Sequence, residues 1–154
     1  MLKHHFHFIG IGGIGMSAIA MALLKKGYSV SGSDLVQNNE TNKLENLGAL
    51  IFSSQTQENI EFVTSKFNNK LINFVVSSAI KPENEELSYC RKKNLIIKHR
   101  SEILALLMKS YTTLAVAGSH GKTSTSTFLS TCLLYTSDAA DEGLGVDLGG
   151  RRII

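Results

Sequence analysis

Cysteine and proline are nearly absent from this 154-residue sequence, which has two and one of them, and no apolar run in it is long. Cys90 and Cys132 lie far apart with no metal-type spacing. That rules out a disulfide framework and predicts two free, buried thiols in a reducing compartment. The longest apolar run, Ala18 to Leu24, is too short to cross a bilayer. The N-terminal His4-His5-Phe6-His7 leads into a strand and a glycine loop rather than a secretory apolar stretch, so the expectation is a cytoplasmic protein without membrane insertion. Charge is not concentrated either. The formal net charge is +3, and Lys25, Lys26, Lys43, Lys66, Lys81, Lys92 and Lys93 are scattered, unlike the basic stripe of a nucleic-acid binder, so no nucleic-acid partner is expected. With 43% hydrophobic and 19% charged residues, the chain has the composition of a folded domain. Its length suits one such domain but is short for an enzyme that needs several.

Apolar runs alternate with helical spacing. Phe6 to Ile11 reads as a buried strand, Met16 to Lys26 as a helix, Tyr28 to Gly32 as a second strand, and Thr41 to Leu47 as a short helix. Ala49 to Phe52 and Leu71 to Ser77 are the third and fourth strands, while Ser53 to Lys70 carries no clear period. Pro82 is expected to open a helix running to Lys93, with Glu83, Glu85 and Glu86 at its positive end. Leu95 to Ile97 is a fifth strand, Ser101 caps a helix through Met108, and Thr112 to Ala117 forms a sixth strand. This order predicts a doubly wound, Rossmann-like parallel α/β sheet with its sites at the carboxyl ends of strands. A boundary is expected near Lys109 to Tyr111, giving a first domain over 1–110 and, over 111–131, the start of a second α/β domain.

Two glycine loops carry the chemistry. Gly10-Ile11-Gly12-Gly13-Ile14-Gly15 satisfies G-x-G-x-x-G between a predicted strand and a predicted helix. Its glycines allow a tight turn, a close approach of backbone to a pyrophosphate, and close packing of helix and strand. Asp34 lies about where dinucleotide folds place the acid that binds a ribose hydroxyl. Equally, it is a turn or cap residue beside Asn38 and Asn39. This half alone reads as a nicotinamide-binding domain.

The second loop is Ala117-Gly118-Ser119-His120-Gly121-Lys122-Thr123-Ser124-Thr125, with Val116 where the common phosphate-loop pattern has its first glycine. Gly118 and Gly121 free backbone amides, Lys122 suits the β and γ phosphates of ATP, and the Thr123 hydroxyl suits Mg²⁺. Ser119, His120 and Ser124 complete the expected ATP site. His120 either touches phosphate or occupies an exposed loop position.

Five stretches in order resemble the Mur ligase family: His7 to Met16 around the first loop, Ser31-Gly32-Ser33-Asp34, Val76-Ser77-Ser78-Ala79-Ile80, His99-Arg100-Ser101-Glu102, and Ala117 to Thr123. The likeness covers about residues 4 to 131 and is closest to the alanine-adding members. It implies that the first domain binds UDP-N-acetylmuramate, with Gly12, Gly13, Ile14 and Gly15 presenting amides to the diphosphate. Asp34, Ser77, Ser78 and Ala79 would line the nucleotide pocket, and His99 and Arg100 would either hold the muramyl portion or form a solvated start to a helix. The implied reaction uses ATP to phosphorylate the lactyl carboxylate, after which the amine of L-alanine attacks the acyl phosphate. Positioning and charge neutralisation dominate such chemistry, so Lys122 and Thr123 take the catalytic roles.

The pattern is lost after the second loop. Residues 132–154 turn polar and then glycine-rich, and the expectation is a non-native or disordered tail on a fragment that does not turn over. Two other functions remain open: a ligase that recycles muramyl tripeptide, and an NAD(P)-binding oxidoreductase domain, which leaves the second loop without a role.

Overall fold

The computed structural model describes residues 4–141, and their side chains through residue 135. The elements in order are β1 (His4–Ile9), α1 (Ile14–Lys25), β2 (Ser29–Ser33), α2 (Asn39–Asn46), β3 (Leu50–Phe52), α3 (Gln57–Lys66), β4 (Leu71–Val76), α4 (Glu85–Lys92), β5 (Ile97–His99), α5 (Arg100–Met108) and α6 (Lys122–Asp141). The five strands pair in parallel in the order β3-β2-β1-β4-β5. Successive connections therefore run in opposite directions from β1, and the crevice between β1 and β4 is the switch point where such sheets bind ligands.

Helices cover both faces. On one face, Phe6 and Phe8 of β1, Val30 of β2 and Val75 of β4 pack with Met16, Ile19, Ala20 and Leu23 of α1, Leu44 of α2, and Ile103 and Leu107 of α5. On the other, Phe74 packs with Ile60 and Val63 of α3 and Cys90 of α4. Each large side chain so buried contributes about 1.5–3 kcal/mol before conformational entropy is counted.

Several local expectations change. The unassigned stretch between β3 and β4 contains α3, whose short buried stripe of Asn59, Ile60 and Val63 sits among polar residues. Pro82 lies in a turn, and α4 starts only at Glu85, capped by Asn84, whose side chain accepts the Leu87 N–H at 3.0 Å. The fifth strand is displaced toward the C-terminus. Asn94 has φ 53° and the Leu95 N–H turns back to Cys90 O at 3.0 Å, so the chain is still leaving α4 there. Cys90 is buried, and burial, with Glu86 nearby, pushes its thiol up to about 12. Cys132 is exposed on α6, against the expectation of a buried thiol.

The chain divides into two compact units, Met1–Tyr111 and Thr112–Ile154. In the second, Thr112 to Ala117 is not a strand. A β-segment satisfies its backbone groups only through a neighbour, and among the described residues of this unit there is no other strand to supply one. Of the tail expected over 132–154, residues 132–141 fall in α6, and 142–154 lie outside the described residues.

Candidate functional site

The first loop turns the chain from β1 into α1 through a tight hydrogen-bonded knot. The N–H groups of Gly10 and Ile11 both reach Ser33 O, at 2.8 and 3.0 Å, and Gly12 N–H reaches Asp34 Oδ2 at 2.8 Å. Gly10 has φ 79°, a left-handed conformation that favours glycine, and a Cβ there would lie 2.9 Å from Ile80 Cδ1. Asp34 is doubly used, since its Oδ1 accepts the Val36 N–H at 3.0 Å. Asn38 completes the brace by donating to Gly12 O at 3.1 Å and capping α2 through the Glu40 and Thr41 amides.

Gly12 therefore does not present its amide to a ligand. It is buried, and its N–H is spent on Asp34. The amides that remain are those of the first turn of α1. The Ser17 N–H closes the first turn onto Gly13 O at 2.8 Å, Gly13 provides no side-chain cap, and no acidic residue lies in that turn. Ile14, Gly15 and Met16 thus begin an uncapped helix whose positive end favours an anion.

Arg100 adds a full charge at the same place. It is the first residue of α5, and a Cβ built on Gly15 would lie 2.5 Å from its Nη1. The third glycine of the motif thus gives room to a guanidinium from another helix. Gly10, Gly13, Ile14, Gly15, Met16, Asp34, Leu35, Val36, Gln55, Ser77, Ser78, Ala79, Ile80 and Arg100 line one open cleft of about 510 Å³ at the carboxyl ends of the strands. Ile14, 87% exposed, joins Leu35 and Val36 in offering apolar surface beside the charged end of the cleft.

His99 goes elsewhere. Its Nδ1 accepts the Ser101 N–H at 3.4 Å, and its own N–H reaches Glu102 Oε1 at 2.8 Å, a capping box that starts α5 two residues before the expected Ser101 cap. That bond, with the Lys98 ammonium 3.1 Å from Oε2, holds the Glu102 carboxyl below its ordinary range. Of the first-domain residues expected from sequence, the cleft gathers Gly13, Ile14, Gly15, Asp34, Ser77, Ser78, Ala79 and Arg100, and leaves out Gly12 and His99. Sequence reading missed Leu35, Val36 and Gln55. Their signal is position, since they follow the ends of β2 and β3.

In the second unit Gly118, Ser119, His120 and Gly121 form an exposed loop before α6, and Gly121 has φ 78°. Lys122 is the first residue of α6, and its Nζ donates back to Gly118 O at 2.6 Å and Ser119 O at 3.2 Å. The lysine ammonium is thus curled over the loop, with Thr123 and Ser124 exposed in the first helical turn. No group of three or more His, Cys, Asp or Glu side chains able to hold a metal ion occurs among the described residues. No helix among them is long and apolar enough to cross a membrane.

The chain is 71% identical over 139 residues to a UDP-N-acetylmuramate–L-alanine ligase of Prochlorococcus marinus subsp. pastoris, and 54% identical over 129 residues to one from another strain of that species. These alignments cover 90% and 84% of this chain but 29% and 27% of the relatives, so the chain spans under a third of their length. Among solved structures, a murein peptide ligase from Psychrobacter arcticus superposes with a TM-score of 0.76 at 27% identity, covering 86% of this chain and 27% of that one. The UDP-N-acetylmuramate-alanine ligase of Thermotoga maritima gives 0.57, also at 27% identity, over 69% of this chain and 23% of that one. Residues 5–112 match the family described as Mur ligase family, catalytic domain, and the chain belongs to that family.

Proposed function

We propose that this chain is the nucleotide-sugar-binding part, with the opening of the ATP-binding part, of a cytoplasmic ligase that joins L-alanine to UDP-N-acetylmuramate in peptidoglycan synthesis. The observation that carries the reading is the meeting of the uncapped α1 terminus and Arg100 at one end of a cleft flanked by Asp34 and Ser77 to Ala79. An amide-rich helix start beside a guanidinium suits a diphosphate, and the neighbouring Leu35 and Val36 suit the flat apolar faces of a nucleoside. In the second unit, Gly118, Ser119, His120, Gly121, Lys122, Thr123 and Ser124 would hold ATP, with the Thr123 hydroxyl on the accompanying Mg²⁺. ATP supplies the phosphoryl group that activates the substrate carboxylate. Lys122 neutralises charge on the phosphates and the loop amides orient them, so both residues act by placement rather than as nucleophiles.

A second reading, the recycling of muramyl peptides, is favoured by the higher TM-score to the murein peptide ligase. The 71% identity to an alanine ligase outweighs it. Calorimetric titration of the full chain with UDP-N-acetylmuramate, UDP-N-acetylmuramyl tripeptide and NADH tests the proposal. Binding of UDP-N-acetylmuramate with no response to NADH is expected, and the reverse overturns it.

A further inference from the structure

The face of the sheet beneath α3 and α4 carries a row of buried polar side chains that the cleft does not use. β1 and β2 pair with His5 opposite Ser29, His7 opposite Ser31 and Ile9 opposite Ser33. The side chains are linked in series. Lys70 Nζ donates to Ser29 Oγ at 2.9 Å, His5 Nδ1 lies 2.8 Å from Ser29 Oγ, and Ser31 Oγ lies 2.8 Å from both His5 Nε2 and His7 Nδ1. Glu86, 0% exposed in the first turn of α4, ends the row. Its Oε2 accepts from Ser33 Oγ at 2.5 Å, and its Oε1 accepts from Asn59 Nδ2 at 2.8 Å. His7 Nε2 faces the same Oε1 at 3.7 Å and has no hydrogen-bond partner among the described residues.

Proton counting gives the row one direction. A carboxylate beside His7 Nε2 favours a proton on that nitrogen and leaves Nδ1 as an acceptor. Ser31 has one hydroxyl proton, so it donates to His7 and accepts from His5 Nε2–H. His5 Nδ1 then accepts from Ser29 at 2.8 Å, a shorter contact than the 3.4 Å from the same hydroxyl to His4 O, and Ser29 in turn accepts from the Lys70 ammonium. Neutral His5 is required at the centre, and burial, with His7 and Lys70 nearby, lowers its pKa to about 3. A cation begins the row and a carboxylate ends it.

The carboxylate end touches the loop's support. Ser33, which Glu86 holds by its hydroxyl, is the residue whose carbonyl receives the Gly10 and Ile11 amides, and its neighbour Asp34 receives the Gly12 amide. Three successive loop amides therefore hang from a two-residue platform clamped from behind by Glu86.

We propose that Glu86 is a positioning residue for the anion-binding loop, holding its Ser33 platform and orienting His7 as the Nε2–H tautomer. The ligand of that loop rests on the diphosphate reading above, whereas the clamp itself does not. A carboxylate accepts from Ser33 and Asn59 and also turns an acceptor oxygen toward His7 Nε2, whereas a glutamine amide sets an NH₂ against at least one of these three groups.

The test uses the full chain with Glu86→Gln, and Ser33→Ala as the smaller change should Glu86→Gln fold poorly. Hydrogen exchange of the Gly10 and Ile11 amides, relative to those of the β1–β4 ladder, should quicken by roughly tenfold in either variant. The double variant should add little to the larger single effect. Nitrogen-15 spectra should show His7 protonated at Nε2. UDP affinity should fall together with loop protection. Unchanged loop exchange in both variants, additive effects, or His7 protonated at Nδ1 overturns the proposal. A wild-type chain that ignores UDP while its loop amides still respond to Glu86→Gln upholds the clamp and instead removes the diphosphate reading.

Discussion

Replacing Gly32 by alanine isolates the steric constraint behind the glycine loop. Gly32 sits in β2 opposite Phe8 of β1. A Cβ there would lie 2.6 Å from Ile11 Cδ1, 2.7 Å from Ile11 Cβ and 2.7 Å from the Phe8 carbonyl oxygen. Carbon atoms prefer about 3.5–4.0 Å, so the overlap approaches an ångström. The Cδ1 methyl can rotate away, but Ile11 Cβ and the Phe8 carbonyl move only with their backbone, and both residues are fully buried. Overpacking of this kind costs about 3 kcal/mol, the upper end of the usual range, because the displaced atoms belong to the strand and the loop. With a urea slope of about 1.5 kcal/mol/M, the unfolding midpoint should fall by about 2 M. Gly27→Ala is the control, since Gly27 has nothing within 4 Å of a built Cβ and only its φ of 80° resists the change. That substitution should cost about 1 kcal/mol from backbone strain alone. The test is urea denaturation of the two variants side by side. If Gly32→Ala proves no worse than Gly27→Ala, the close approach described here is wrong.

Arg100→Ala should lower affinity for UDP-N-acetylmuramate by about tenfold and flatten its salt dependence, while leaving the unfolding midpoint nearly unchanged; calorimetry at two ionic strengths checks this, and unchanged affinity removes Arg100 from the site. His5 makes stability depend on pH with a defined sign. Its folded pKa of about 3 lies below the 6.5 of a free histidine, so the unfolded chain takes up the proton first as pH falls. Stability is therefore full above about pH 6.5 and declines toward pH 3 with a limiting slope of about 1.4 kcal/mol per pH unit. His5→Gln should flatten the decline between pH 7 and 5.5 in urea titrations, and an identical slope in both proteins would refute the assignment. In a complete relative carrying the same loop, the equivalent of Lys122→Ala should abolish ATP-dependent ligation, measured as ADP release; near-normal turnover would exclude that lysine from the mechanism.

Under the proposed function, the amides of the first loop are divided between two tasks. Gly10, Ile11 and Gly12 turn inward to Ser33 and Asp34, and only the first turn of α1 is left for a ligand. The brace is preformed, so binding need not order it, and loop entropy is not lost a second time.

Local pattern in the sequence was enough to determine the parallel α/β architecture, the place of both glycine loops and most of the cleft at the strand ends. Strand and helix periods are set by neighbours close in the chain, and a glycine loop between them has few conformations available. The alternation His5-Phe6-His7-Phe8 and Ser29-Val30-Ser31 was also present, yet it read as an ordinary apolar run. It became a polar row only once register set His5 against Ser29 and α4 laid Glu86 beneath Ser33. His99 and Arg100 are adjacent, and only the start of α5 at Arg100 assigns one to the cap and the other to the cleft. Thr112 to Ala117 shows the opposite limit: its residues favour a strand, but a strand exists through a neighbour's hydrogen bonds, which the segment cannot provide for itself. Sequence alone decided what short-range geometry can specify, while tertiary structure decided which distant backbones and charges meet, because those contacts depend on how whole elements pack.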